Sequence, residues 1–131
     1  MPAFHSATQL ATEVSGGFPP PTKDSTVIPL DLNRYLIAHP SATYFLRFQG
    51  DSLRASGIMD NDILIVDRSL PLQNSAFIIA EFNGNLLARY FQKEQGHTLL
   101  STGATDATPL LVTKEDEFVL WGTVIGSFRK Y

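Results

Sequence analysis

A chain of 131 residues with 44% hydrophobic and 18% charged side chains has enough apolar material for one packed domain and little length for a second. Ten Lys and Arg against thirteen Asp and Glu give a formal charge of −3, which excludes a globally basic nucleic-acid binder while leaving room for a local basic patch. Cysteine is absent, so disulfide scaffolds, zinc–thiolate sites and cysteine nucleophiles are excluded, and a reducing compartment is compatible.

Residues 1–26 differ in character from the rest of the chain. Residues 1–14 are mixed and polar, with no sustained period, no basic n-region and no long apolar stretch, so they do not read as a secretory signal. Ser15-Gly16-Gly17 is a flexible hinge. Phe18-Pro19-Pro20-Pro21 is stiff and extended, because each proline fixes its own φ and biases its predecessor away from helix. A loose segment, a glycine pair and a rigid spacer together make a flexible N-terminal arm, the kind of place where proteolysis concentrates. No apolar run anywhere approaches the roughly 18 residues of a membrane span, and the chain reads as soluble and cytoplasmic.

Residues 31–38 form the best helical stretch: Asp31 can cap the first turn, Leu32, Tyr35 and Leu36 recur at helical spacing, and Pro40 is a stop. Strands dominate from there on. They are expected at 43–48, 63–66, 77–82, 86–91, 98–100, 110–112 and 118–128. Asn83-Gly84 is a hairpin turn signal, since both positions tolerate positive φ. Gly122 and Gly126 suggest bulges or bends in the last strand. The pattern is mostly β, a small curled sheet or partial barrel spanning 27–131 behind the arm.

Most candidate chemistry has a plainer structural explanation. His5, His39 and His97 have no suitable ligand three to five residues away, so neither a metal nor any other cofactor is expected; His39 belongs to a helix end, as a cap or surface residue. Glu115-Asp116-Glu117 reads as a solvated turn. Asp60, Asp62 and Asp67 bracket a strand, where turn-forming and strand-edge roles outweigh cation binding. Gly50-Asp51-Ser52-Leu53 is different. A serine behind a Gly-Asp pair, directly after a strand, can be presented on a sharp turn with free backbone N–H groups nearby. The same string spells the signature of GDSL-type esterases, but those enzymes need Asp-x-x-His near the C-terminus, which is missing here.

Four segments in order, Gly16-Gly17-Phe18-Pro19, His39-Pro40-Ser41-Ala42-Thr43-Tyr44-Phe45, Gly50-Asp51-Ser52 and Asp60-Asn61-Asp62-Ile63-Leu64-Ile65-Val66-Asp67, resemble the UmuD-like SOS mutagenesis proteins and, more distantly, the LexA-type repressors of the same S24 serine peptidase family. The resemblance implies a LexA-like, mostly-β peptidase domain with an N-terminal arm that is self-cleaved on a RecA filament. It also implies a homodimer that joins a UmuC-like polymerase subunit in translesion synthesis, with no sequence-specific DNA binding and no membrane. The 26 residues before the core are too few for a repressor's helix-turn-helix. Signal peptidases also use a Ser-Lys pair but need a membrane anchor.

By motif position, Ser52 matches the family nucleophile and Gly16-Gly17 the scissile bond, where the family usually has Cys-Gly or Ala-Gly; a glycine there gives the site less to hold. The family base is a lysine about 37 residues beyond the serine, kept neutral by an apolar setting. That position is Arg89, or Ala88 with a one-residue shift. Alanine has no base, and arginine stays protonated in proteins. Of the four lysines, Lys23, Lys93, Lys114 and Lys130, only Lys93 shares the strand, and at about 3.3 Å per residue it lies roughly 13 Å beyond Arg89. Self-cleavage is therefore expected to be absent or very slow. The alternative function is a non-enzymatic dimerisation and interaction module, or a regulator cleaved in trans by an active homologue. Phe118, Val119, Leu120, Trp121, Val124, Ile125 and Phe128 make an apolar last strand; core packing explains most of them, and the sharper expectation is an edge strand pairing across a two-fold axis.

Overall fold

The computed structural model describes residues 29–131. The expected arm at 1–26, with Gly16-Gly17, lies outside them. The chain divides into two units, Met1–Ala38 and His39–Tyr131. In the first, helix α1 (Leu32–Leu36) starts at Asp31, whose carboxylate accepts from the Asn33 N–H at 3.0 Å. It is shorter than the expected 31–38. Ile37 is already extended, and His39, at φ −129° and ψ 79°, is held out of the helical region by the proline after it.

The second unit is a sheet of seven antiparallel strands: β1 (Thr43–Arg47), β2 (Ile63–Asp67), β3 (Phe77–Phe82), β4 (Asn85–Glu94), β5 (His97–Ser101), β6 (Leu110–Val112) and β7 (Phe118–Phe128). Their order across the sheet is β1-β2-β7-β3-β4-β5-β6. Asn83 and Gly84 turn β3 into β4 with φ of 50° and 86°, the paired left-handed conformation that matches strand twist. The Asn83 side chain also bonds both Asp116 and the Glu117 N–H. The acidic 115–117 segment is thus a turn, and its Asp116 carboxylate caps Thr113. Among the described residues no helix is long and apolar enough to cross a membrane.

The last strand corrects one expectation. β7 pairs with β2 on one side and β3 on the other, so it is an interior strand and offers no edge for a two-fold. Its apolar content serves packing against two neighbours. The bulges anticipated near its glycines are present. One skips Trp121, between the pairs Ala80–Leu120 and Ile79–Gly122. The other skips Ile125, between Val66–Val124 and Ile65–Gly126. Each extra residue adds bend and twist to the sheet.

Side-chain alternation along β3 and β4 gives the sheet two apolar faces. One gathers Leu53, Ile58, Leu64, Val66, Ile79 and Ala88, with Leu46, Phe48 and Trp121 against them. The other gathers Ile78, Ala80, Phe91 and Leu100, with Phe118 and Leu120. Gly122 sits where a side chain has no room on the first face: an added Cβ would lie 2.5 Å from Val66 Cγ1 and 3.2 Å from Arg68 Cγ. Gly122→Ala should cost about 1–3 kcal/mol in urea unfolding. Val66→Ala removes the obstructing methyl, so the double variant should be less destabilised than the sum of the singles, by about 0.5–3 kcal/mol. Strict additivity would show that the clash is not the cause.

Candidate active site

The Gly-Asp-Ser turn comes directly after β1. Gly50 takes φ 109°, a conformation that side-chain-bearing residues rarely adopt, and its N–H is held by Asp60 Oδ1 at 2.7 Å. Ser52 is exposed, whereas its neighbour Leu53 is completely buried. Leu53 also accepts from the Ser56 and Ile58 N–H groups at 2.9 and 3.1 Å, closing the short 3₁₀ turn Arg54–Ser56 beneath the serine. One residue is pinned in the core and the one before it is left facing solvent. Among the described residues the Ser52 hydroxyl has no hydrogen-bond partner.

Ser52 opens on a cavity of about 390 Å³. Its walls are the end of β1 with the residues after it (Leu46 to Gln49), Leu64, Ile79, and the start of β4 from Leu86 to Arg89. Both positions singled out for a base, Ala88 and Arg89, therefore line the same cavity as the serine. They do so differently. Ala88 pairs with Ile79 and is buried in the Leu53 face. Arg89 pairs with Ile78, whose side chain belongs to the opposite face. The guanidinium bends back, and Nη1 donates to the Ala88 carbonyl at 2.8 Å. Burial pushes its pKa down from the usual arginine value, but a guanidinium starts too high to lose its proton near neutrality. None of the described lysines, Lys93, Lys114 and Lys130, lines the cavity; Lys23 lies outside the described residues. Lys93 is exposed near the far end of β4, with its N–H bonded to Asn74.

Two aspartates that looked like turn and strand-edge residues are buried ion-pair partners. Asp62, just before β2, receives Arg129 Nε at 2.7 Å and Nη2 at 2.9 Å, and the Met59 N–H at 2.8 Å. Those bonds, Arg129 first, hold its carboxyl down at about 2. Asp62 O in turn accepts from the Phe48 N–H, and Phe48 O from the Asn61 N–H, so this cluster closes the loop that carries Ser52. Asp67, at the end of β2, bonds His39 Nδ1 at 2.7 Å and Ser69 Oγ at 2.6 Å. Burial opposes its ionisation, yet the bonds from Ser69 and His39 prevail and keep its carboxyl below the usual range. His39 thus does sit at the start of a turn, Pro40–Ala42, but its ring reaches across to β2. Arg129 stands 67 residues from Asp62, and nothing in its local sequence marks it. Among the described residues no three His, Cys, Asp or Glu side chains gather into a metal site.

An exposed serine on a core-anchored turn beside a cavity is a geometry that can present a nucleophile. The chain belongs to the peptidase S24-like family, whose profile it matches over residues 9–125. MucA of Salmonella typhimurium and of Escherichia coli is 41% identical over 127 residues, 97% of this chain and 87% of MucA. ImpA of Shigella flexneri is 39% identical over 79 residues, 60% of this chain, so that the match spans about half, 54%, of ImpA. The LexA repressor of Acidithiobacillus ferrooxidans is 36% identical over 93 residues, 69% of this chain and 45% of the repressor. The UmuD-like membership that the four motifs imply is thereby shown.

The Asp62 pairing has a definite pH signature. Its folded-state carboxyl is depressed, so the stability it confers is complete above the ordinary value of 3.8 and is lost as pH falls towards about 2. In Arg129→Gln the Asp62 carboxyl, followed by ¹³C NMR, should titrate at least halfway back towards 3.8, and thermal stability at neutral pH should drop. An unshifted midpoint in that variant would show that Arg129 is not what depresses it.

Proposed function

We propose that the protein is a UmuD-like accessory subunit of an error-prone translesion polymerase in the SOS response, in which self-cleavage at Gly16-Gly17 is impaired. The observation that carries the impairment is the content of the Ser52 cavity, where alanine and arginine occupy both candidate positions for the base. Attack by serine requires a group that takes its proton, and a general base must combine hydrogen-bond reach with a pKa near the operating pH. Ala88 offers no such group, and Arg89 offers one that is already protonated. Family membership and the 97% coverage by MucA support the accessory-subunit role; RecA filaments, a homodimer and a UmuC-like subunit are the partners that role entails. With β7 enclosed, strand pairing between copies falls to β1 or β6, the two edges of the sheet.

A second reading takes the same cavity as its starting point. A subunit unable to cut itself still carries an arm that an active homologue can cut, and it then acts as a substrate or brake in trans. Arm-deleted and full-length protein, each tested for capture of a UmuC-like subunit with and without an active homologue, separate this from a module in which the arm has no bearing.

The impairment is tested by returning an amine to the cavity. Arg89→Lys, and separately Ala88→Lys, should raise self-cleavage under RecA-activating conditions from undetectable to clearly measurable, with intact-mass analysis showing the fragment 17–131. Adding Ser52→Ala to either variant should abolish it. The proposal would be falsified if the unmodified protein released this fragment efficiently and Ser52→Ala stopped the release.

A further inference from the structure

The exchange of amine for guanidinium alters what the cavity can hold as well as what it can catalyse. Two arginines, Arg47 and Arg89, line it together with the Ser52 hydroxyl, and no Asp or Glu does. The ion pairs among the described residues are His39–Asp67 and Arg129–Asp62, so neither cavity arginine has a counter-ion among those residues. Among the described residues the Arg47 guanidinium hydrogen-bonds the Asn61 carbonyl alone, at 3.4 Å. Arg89 is half-buried and uses Nη1 on the Ala88 carbonyl. Its remaining donors, in a planar fork suited to two parallel bonds with a carboxylate, are without partners among the described residues. The nearby acids in the turn are Asp51 and Asp60. Both stand outside the lining, and Asp60 is engaged with the Gly50 N–H and Asn61. A partly desolvated cation without a partner is costly, and an anion that supplies the missing bonds offsets that cost.

The remaining walls define the rest of the ligand. Leu46, Phe48, Leu64, Ile79, Leu86 and Leu87 are apolar, which suits side chains better than a bare inorganic ion. β1 pairs only with β2, so its other edge presents unpaired backbone groups beside the cavity, ready for an extended main chain. We propose that the Ser52 cavity is a binding site for an extended peptide with a free C-terminal carboxylate, which Arg89 receives with Arg47 in support. The proposal rests on the same cavity as the proposed function, but on Arg89 as a donor rather than on its failure as a base.

The test uses the full chain carrying Ser52→Ala, so that no cleavage complicates the reading. Acetyl-Ala-Leu-Gly as the free acid, its C-terminal amide, acetate and inorganic phosphate are each titrated and followed by ¹⁵N–¹H NMR. The free acid should bind about tenfold more tightly than the amide, with shifts at residues 46–49 and 86–89. Arg89→Gln should reduce that ratio to near one while the spectrum stays dispersed; Arg89→Lys, which keeps the charge, should retain part of it. Arg47→Gln, on an exposed side chain, should weaken the acid and not the amide, and provides the reading if Arg89→Gln fails to fold. Equal binding of acid and amide, binding of neither, or an undiminished ratio in Arg89→Gln would overturn the proposal. Acetate or phosphate binding as tightly as the peptide acid would overturn it as well, by showing that an anion alone suffices. None of these readouts depends on whether Arg89→Lys restores cleavage, so the two proposals can fail separately.

Discussion

Leu53 is the residue on which the site depends. It is fully buried among Ile58, Leu64, Val66, Ile79 and Ala88, and it adjoins an exposed serine that has no bond of its own among the described residues. A lone hydroxyl on a surface loop is free to wander. Here Gly50 is fastened to Asp60 on one side and Leu53 is inserted in the core on the other, so Ser52 keeps its place while its hydroxyl stays unengaged. Truncating a buried leucine costs about 2–5 kcal/mol, which measures how firmly such an anchor holds. The ends of the loop are closed by a second device of a different kind. Asp62 takes three charged or backbone donors at once, and two of them come from Arg129, the residue after β7. The loop is therefore tied to the C-terminal end of the chain as well as to the core beneath it.

β7 explains why the sheet bends around this site. As an interior strand it accepts β2 on one side and β3 on the other, and its two bulges lie one against each neighbour. A bulge on each flank curls both halves of the sheet. Gly122 then brings β7 close to β2 where Val66 fills the space that a side chain would need. A glycine in a strand that reads as weakly formed is thus a place where that strand approaches its neighbour most closely.

Much of this was legible in the residues. The limits of β3 and β7 coincide with those expected from their apolar runs, the Asn83-Gly84 hairpin forms as its turn chemistry requires, and the bulges adjoin the two glycines that suggested them. These are local signals. Strand order is not local: it depends on which pairs of edges meet, and an apolar strand reads the same in the middle of a sheet as at its rim. For the same reason Asp62 and Asp67 looked like solvated punctuation, because their partners are distant in sequence. The site divides along the same line. The exposed turn that carries Ser52 was marked by its own residues, whereas the choice between Ala88 and Arg89 rested on residue spacing. Register resolves the faces, with Ala88 beside the Leu53 core and Arg89 paired with Ile78 of the other face, its guanidinium bonded to the Ala88 carbonyl.

That difference bears on why arginine is tolerated in this cavity. A lysine held in an apolar setting lowers its pKa and rests uncharged, so its presence and its desolvation are compatible. Arginine has no such escape. Fully enclosed at the Ala88 position, it would be a stranded charge. At position 89 it keeps one bond to a carbonyl, is only half-buried, and lines the cavity. Under the proposed reading, the same geometry would put a hydrogen-bond donor where a proton acceptor is expected. A pocket arranged in this way favours groups that accept hydrogen bonds and carry negative charge.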